Sequence, residues 1–256
     1  LVDRAKNNIL TLTDQQQAAK QFHCSLRDIE EKSLNHSILP GRYQRNGLDC
    51  KEQLKLFQAR ISIIGCGGLG GRVSELLARI GIGSLILVDP DVFEESNLNR
   101  QQFCTADTLG SYKAEVLARE LTKINPILDT RIEKTRFSES SVLASDMVVD
   151  GLDSAKDRHS LSRLCLKHSL PLVHGAVDKW YGQVGVEQNS HGLIAHLYPQ
   201  PGNSPATSQI LPPTVSLLAS MQAAETCKLI LGQSSPLTAS WLHCDLLHCE
   251  YHLLVT

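Results

Sequence analysis

The residues that could do chemistry in this chain are scattered, but their types are coherent. A glycine cluster, Gly65-Cys66-Gly67-Gly68-Leu69-Gly70-Gly71, is followed by Asp89 and Asp91. Then come Ser96-Asn97-Leu98-Asn99-Arg100-Gln101, Lys113 and, much later, Asp153. Glycines let backbone N–H groups approach a phosphate with no Cβ in the way. An acid such as Asp89 can accept hydrogen bonds from ribose hydroxyls. Cations such as Arg100 and Lys113 neutralise oxygens that gain charge during phosphoryl or nucleotidyl transfer. A carboxylate such as Asp153 suits Mg²⁺, a hard cation that takes oxygen ligands and bridges phosphates. A dehydrogenase has no use for two cations beside its phosphates. The set therefore points to ATP.

These residues need particular elements to bring them together. Ile61-Ser62-Ile63-Ile64 suits a buried strand, and Val73 to Ile80 has apolar residues at helical spacing, closed by Gly81 and Gly83. Leu85-Ile86-Leu87-Val88 is a second strand ending on Asp89. Strand, glycine turn, helix, strand and acid in that order form a nucleotide-binding βαβ unit. The start of the helix, with its free N–H groups and the positive end of its dipole, faces the phosphates. Asp153 directly follows the strand-like run Met147 to Leu152, which places it at the carboxyl edge of a parallel sheet, where ligands bind.

The rest of the chain continues the α/β alternation. Helices are expected near Lys51–Gln58, at Lys113–Ile124, at Ala155–His168 and at Val215–Leu231, the last closed by Gly232. Strands are expected at Thr130–Lys134, Met147–Val149, Leu172–Gly175, Gln183–Glu187 and Ile194–Tyr198. Pro199 to Pro213 reads as a loop over a cleft. The expected fold is α/β, a Rossmann-like doubly wound, mostly parallel sheet with added C-terminal strands. Residues 1–40 form a separate helical appendage, with helices from Asp14 to Phe22 and from Leu26 to Asn35 and with Thr13 and Ser25 as N-caps. Residues 41–256 make the ATP-binding domain.

Composition narrows the class further. The chain has 256 residues, 42% hydrophobic and 20% charged, and a net charge of -2, values usual for a soluble globular protein. No basic face calls for nucleic acid, no apolar stretch is long enough for a membrane helix, and no segment reads as a signal peptide. The chain opens at Leu1 without a methionine, so a missing N-terminal stretch is expected. Its eight cysteines are scattered without a CxxC pair, which reads as reduced thiols in a cytoplasmic protein. His243-Cys244, His248-Cys249 and His252 look like zinc ligands by type. They fall on two strands around Asp245-Leu246, however, where alternation splits them between faces.

As a set, GCGGLG, the aspartate of LILVD, SNLNRQ, Lys113 and the DGLDS segment resemble the ThiF/MoeB/HesA family of adenylyltransferases. That family is similar to the adenylation domain of ubiquitin-activating enzymes. The resemblance spans roughly Arg42 to Val255. It implies ATP-dependent adenylation of a carboxylate, typically the C-terminal glycine of a ubiquitin-like sulfur carrier protein ending in Gly-Gly. Adenylation of a peptide, small molecule or modified tRNA base, and an inactive nucleotide-binding partner subunit, are the alternatives. Carried over, Gly65, Gly67, Gly68 and Gly70 form the phosphate turn, Gly68 lying against the phosphates, and Asp89 binds ribose. Asp91, Ser96 and Gln101 belong to the nucleotide site, and Asn97, Asn99 and Arg100 line the phosphate pocket. Lys113 stabilises the reacting phosphate, and Asp153 holds Mg²⁺. Arg45 of the RYQR segment reaches the γ-phosphate from the other subunit of a homodimer, although Asn46 stands where the family usually has glutamine. The two CxxC pairs that bind structural zinc in many members are absent, as is a crossover-loop cysteine within Gln200–Pro213. The resemblance therefore implies neither a zinc site nor a thioester step.

Overall fold

Runs of Ile, Val and Leu make the strands of this chain, and amphipathic segments between them make the helices that cover both sheet faces. A computed structural model describes residues 1–188, 192–199 and 209–255. It opens with two short parallel strands, β1 (Ile9–Leu10) and β2 (Leu39–Pro40), around helices α1 (Leu12–Phe22) and α2 (Leu26–Asn35). Helix α3 (Cys50–Gln58) leads into β3 (Arg60–Ile64), α4 (Gly68–Ile80) and β4 (Ser84–Val88). After a long connection come α5 (Lys113–Ile124), β5 (Asp129–Glu133), α6 (Glu139–Leu143), β6 (Met147–Asp150) and α7 (Ala155–Lys167). The chain continues through β7 (Leu172–Asp178), β8 (Tyr181–Glu187), α8 (Leu193–Leu197), α9 (Pro212–Leu231), β9 (Ser240–Asp245) and β10 (Glu250–Val255).

The main sheet has eight strands in the order β10-β9-β8-β7-β6-β3-β4-β5. Strands β5, β4, β3, β6 and β7 run parallel, and β8, β9 and β10 continue the sheet antiparallel. The expected doubly wound sheet with added C-terminal strands is what forms. From β3 the chain winds one way through β4 and β5, then returns to β6 and winds the other way. The boundary between β3 and β6 is thus a topological switch point, where a crevice opens at the carboxyl ends of the strands.

Alternation along the strands builds two cores. Ile61, Ile63, Leu85 and Leu87 face the layer of α4, α5 and α9, where Leu77, Leu117 and Leu218 are fully or almost fully buried. Ile64, Ile86, Val88 and Val148 face the opposite layer with Leu161, Leu172 and Ile194. Each such side chain stabilises the fold by about 1.5–3 kcal/mol relative to exposure.

The N-terminal helices have a small core of their own, Leu10, Ala18, Ile29 and Ile38. They also join the main body, because Leu34 of α2 packs with Phe57 and Ile127. Arg27 lies over the Phe57 ring, 4.5 Å from its centroid, and donates to the carbonyls of Gly83 and Ile127.

Three local expectations are corrected. Helix α1 starts at Leu12 and is capped by Thr11, whose hydroxyl accepts the Asp14 N–H at 3.1 Å, so Thr13 is inside the first turn. Ser25 does cap α2, in a reciprocal box with Asp28. The segment expected as a strand at Ile194–Tyr198 is instead the helix α8. Leu193 and Ile194 are buried while Ala195 and His196 are exposed, which is helical spacing, and the Ile194 N–H donates to Glu187 at 3.1 Å. A short apolar run does not separate the two periods. Finally, β7 and β8 are longer than expected and form a seven-pair hairpin turning at Lys179-Trp180. Of the loop expected over the cleft, residues 200–208 lie outside the described residues.

Candidate active site at the switch point of the sheet

The crevice between the β3 and β6 ends is a cavity of about 530 Å³. On its first side is the glycine turn. Gly65 follows β3 at φ +92°, and a Cβ there would stand 2.5 Å from the Gly151 carbonyl oxygen on the loop after β6. A Cβ on Gly151 would in turn meet the Gly65 oxygen at 2.4 Å. Gly70 packs the first turn of α4 against the same carbonyl, so that a Cβ there would meet it at 1.8 Å. The turn lets α4 begin at Gly68, with Gly67 as its N-cap and no side chain capping the helix. Gly67 and Gly68 line the cleft, and the unbonded N–H groups of this helix start offer an anion site.

Asp89 directly follows β4 and lines the cleft, with one oxygen tied to the glycine turn and the other to the loop after β4. Its Oδ2 accepts the Cys66 N–H at 2.7 Å and its Oδ1 accepts the Asp91 N–H at 2.8 Å. Each oxygen keeps a further lone pair for a ligand hydroxyl. Burial pushes this carboxyl up, and the two backbone donors pull it back only in part.

The cations converge from two directions. Lys113 is the first residue of α5, almost fully buried, and its Nζ pairs with Asp91 Oδ2 at 3.2 Å. Arg100 lines the cleft beside Gly68, with its guanidinium donating to the Ser96 carbonyl and to Asn99 Oδ1, both at 2.9 Å. Gln101 is buried against Gly67 and also lines the cleft. Asp153 reaches the cavity from the loop after β6.

Of the residues singled out in the sequence, Gly65, Gly67, Gly68, Asp89, Asp91, Arg100, Gln101, Lys113 and Asp153 are brought together on this cavity. Ser96, Asn97, Asn99 and Gly70 are not on its wall. Asn97 is buried and accepts the Glu94 N–H at 3.1 Å, closing the turn that carries Arg100. Asn99 and Ser96 hold the arginine itself, and Asn99 also donates to the Ile210 carbonyl at 3.2 Å. Arg45 is exposed and lies outside the cavity of its own chain.

Several cleft residues carry no signal in the local sequence. Ile64, Val88 and Phe137 supply an apolar wall fit for an aromatic base. Arg158 of α7, Gln183 of β8 and Tyr198 after α8 form the far end, above a buried polar network. His174 Nδ1 donates to Asp150 Oδ2 at 2.7 Å, and both side chains are fully buried. The other ring nitrogen then accepts, with Gln183 Nε2 at 3.2 Å and the Tyr198 hydroxyl at 3.3 Å. Arg158 Nη1 donates to the Tyr198 hydroxyl at 2.9 Å while its Nε lies 3.3 Å from Asp150. Burial works against the Asp150 charge, but Arg158 and His174 outweigh it and hold the carboxyl below its usual range. Burial pushes His174 down, which keeps it neutral.

The chain matches the model of the ThiF family over residues 42–254. It belongs to the ThiF family. Among ThiF-family relatives it is 34% identical over 202 residues to the SAMP-activating enzyme E1 of Haloferax volcanii, covering 75% of each chain. It is 29% identical over 223 residues to the molybdopterin-synthase adenylyltransferase of Escherichia coli, covering 82% of this chain and 90% of that one. Among solved structures, E. coli MccB with ATP superposes with a TM-score of 0.68 at 25% identity, over 94% of this chain and 82% of that one. This ThiF-family chain is an ATP-binding nucleotidyltransferase of the adenylyltransferase type.

Mg²⁺ fits the cleft in one particular way. Among the described residues no group of three His, Cys, Asp or Glu side chains could cage a metal alone. An Asp153 carboxylate beside a polyphosphate site suits a cation that keeps several waters and is held by one or two carboxylates plus phosphates. No helix among the described residues is long and apolar enough to cross a membrane.

Proposed function

We propose that the chain adenylates the C-terminal carboxylate of a ubiquitin-like sulfur carrier protein ending in Gly-Gly, releasing pyrophosphate. The observation that carries this reading is the convergence of Arg100 and Lys113 on the glycine turn in an adenylyltransferase fold. The names of the relatives, activators of SAMP and of molybdopterin synthase, support this class of acceptor.

In the proposed reaction a carboxylate oxygen attacks the α-phosphorus of ATP, the bond to the bridging oxygen breaks, and pyrophosphate leaves with its electron pair. The N–H groups at the start of α4 and Arg100 hold the phosphate oxygens, Asp89 takes the ribose, and Lys113 stabilises charge at the reacting phosphate. Mg²⁺, held by Asp153 with the phosphates, would neutralise the leaving pyrophosphate. Arg45 would complete the site from a second copy in a homodimer, reaching the γ-phosphate. With no thioester cysteine implied, the acyl-adenylate itself is handed on.

The test is ATP–pyrophosphate exchange with a panel of ubiquitin-like carriers, each beside a form lacking its last two glycines. Exchange that needs the Gly-Gly end supports the reading, whereas exchange driven equally by the shortened forms would sink it. A short peptide ending in a free carboxylate belongs in the panel, because the MccB structures that the chain resembles include one with MccA. Titration calorimetry should show ATP binding with Mg²⁺ and no NAD binding.

A further inference from the structure

Residues 1–41 precede the segment that matches the family, yet they are tied to the turn that carries Arg45. That turn is anchored on both sides. Tyr43 is 1% exposed, and its hydroxyl accepts from Asn125 Nδ2 at 3.0 Å while the same amide donates to the Ala78 carbonyl. Asn46 donates its side-chain amide to the Ile80 carbonyl at 3.3 Å and its backbone N–H to the Tyr43 carbonyl at 2.9 Å. Between these anchors Gln44 and Arg45 face solvent, and no ion pair engages Arg45 among the described residues. An exposed arginine on a clamped turn is open to meet something outside its own domain.

The clamp begins one residue earlier, at Arg42. Its guanidinium pairs with Glu30 of α2, donates to Gln15 of α1 at 3.0 Å, and lies 4.7 Å over the Tyr43 ring. Glu30 and Gln15 are both fully buried. Burial pushes the Glu30 carboxyl up, and Arg42 offsets this only in part. A buried ion pair of this sort is a poor staple, since neutral replacements are often as stable or more so. A fixed fork geometry is what an arginine held by two buried acceptors does supply.

We propose that the N-terminal unit is a positioning device for Arg45: Gln15 and Glu30 fix Arg42, and thereby the turn that presents Arg45 to the nucleotide of a second copy. This rests on the trans role of Arg45 proposed above. Glu30, Gln15 and Arg42 are positioning residues, since none of them lines the cleft.

The test uses the full chain, with calorimetric titration of a non-hydrolysable ATP analogue and of AMP, each with Mg²⁺. AMP lacks the γ-phosphate, so an effect passing through Arg45 spares it, while general damage to the fold does not. Glu30→Gln leaves Arg42 without its counter-charge, so its urea midpoint should fall, with the chain still folded at about 25 °C. It should weaken binding of the ATP analogue about tenfold, the scale of one charge-assisted contact, and leave AMP affinity unchanged. Arg42→Lys, which retains the charge but loses the fork, should show the same split. Adding Glu30→Gln to Arg45→Ala should weaken the analogue no further than Arg45→Ala alone. Wild-type analogue binding in both positioning variants overturns the proposal, as do equal losses for AMP, additive losses in the double variant, or unfolding of both variants. Wild-type binding in Arg45→Ala would instead overturn the trans reading itself, and the positioning role with it.

Discussion

At the residue scale the two cations of the cleft have different supports. Lys113 is buried at the start of α5 with Asp91 as its partner, whereas Arg100 is steered by Ser96 and Asn99 on a partly exposed turn. Lys113→Ala and Arg100→Ala should each lower carrier-dependent ATP–pyrophosphate exchange by about 10²-fold or more, the usual scale for a preorganised charge stabiliser. Wild-type exchange in either variant would place that residue outside the reaction. Asp89, Lys113 and Asp153 are legible in the sequence because each lies next to a strand end or at a helix start, and Arg100 is legible through its charge and the SNLNRQ segment. Arg158, Gln183 and Tyr198 are not, because β7–β8 pairing and the docking of α8 bring them to the cleft from distant parts of the chain.

At the element scale, the turn between β3 and α4 and the hairpin β7–β8 frame the crevice from opposite sides. Gly70→Ala would drive a Cβ to 1.8 Å from the Gly65 carbonyl oxygen. The helix start must then shift, and the expected cost is about 1–3 kcal/mol or more in urea unfolding, together with loss of ATP binding. An unchanged midpoint would show that α4 can move freely. Within the hairpin, His174 of β7 faces Asp150, Arg158 and the Tyr198 hydroxyl. Its folded pKa is lowered, so its contribution is complete above the unfolded value near 6.5 and is lost as pH falls below that. The urea midpoint of the wild type should therefore drop between about pH 7 and pH 5 more than that of His174→Gln. Parallel curves would mean that the ring charges without cost. The doubly wound, mostly parallel sheet could be read from the alternation of apolar runs and helical segments, but α8 could not. Its few apolar residues fit either period, and only Glu187 beneath it and the packing of Leu193 on Gly185 decide for a helix.

At the scale of the whole molecule, Arg45 is the residue that its own chain does not explain. Subunits carrying Arg45→Ala should be mixed with subunits carrying Asp153→Ala under conditions of proven exchange. Each homodimer is expected to be nearly inactive, while a heterodimer holds one site with both residues intact. Recovery toward half the wild-type activity per heterodimer supports composite sites; no recovery would confine Arg45 to its own chain or to no role. Metal analysis of protein purified without chelators should find no stoichiometric zinc. One zinc per chain would return attention to the β9–β10 hairpin. There Cys244 is buried, Cys249 is exposed, and His243 stacks on Tyr181. The family's motifs made the nucleotide half of the molecule legible. The N-terminal unit carries no such motif, and its tie to Arg42 depends on which side chains two separate helices bury.

The contact between Gly65 and Gly151 has a consequence for how this protein could vary. Each glycine excludes a Cβ because of the other's carbonyl, not because of the other's missing side chain. Exchange at one position therefore cannot be compensated at its neighbour, and the two are independent dead ends rather than a swappable pair. A randomised library over both codons, sorted for ATP binding, should return glycine at each whatever stands at the other.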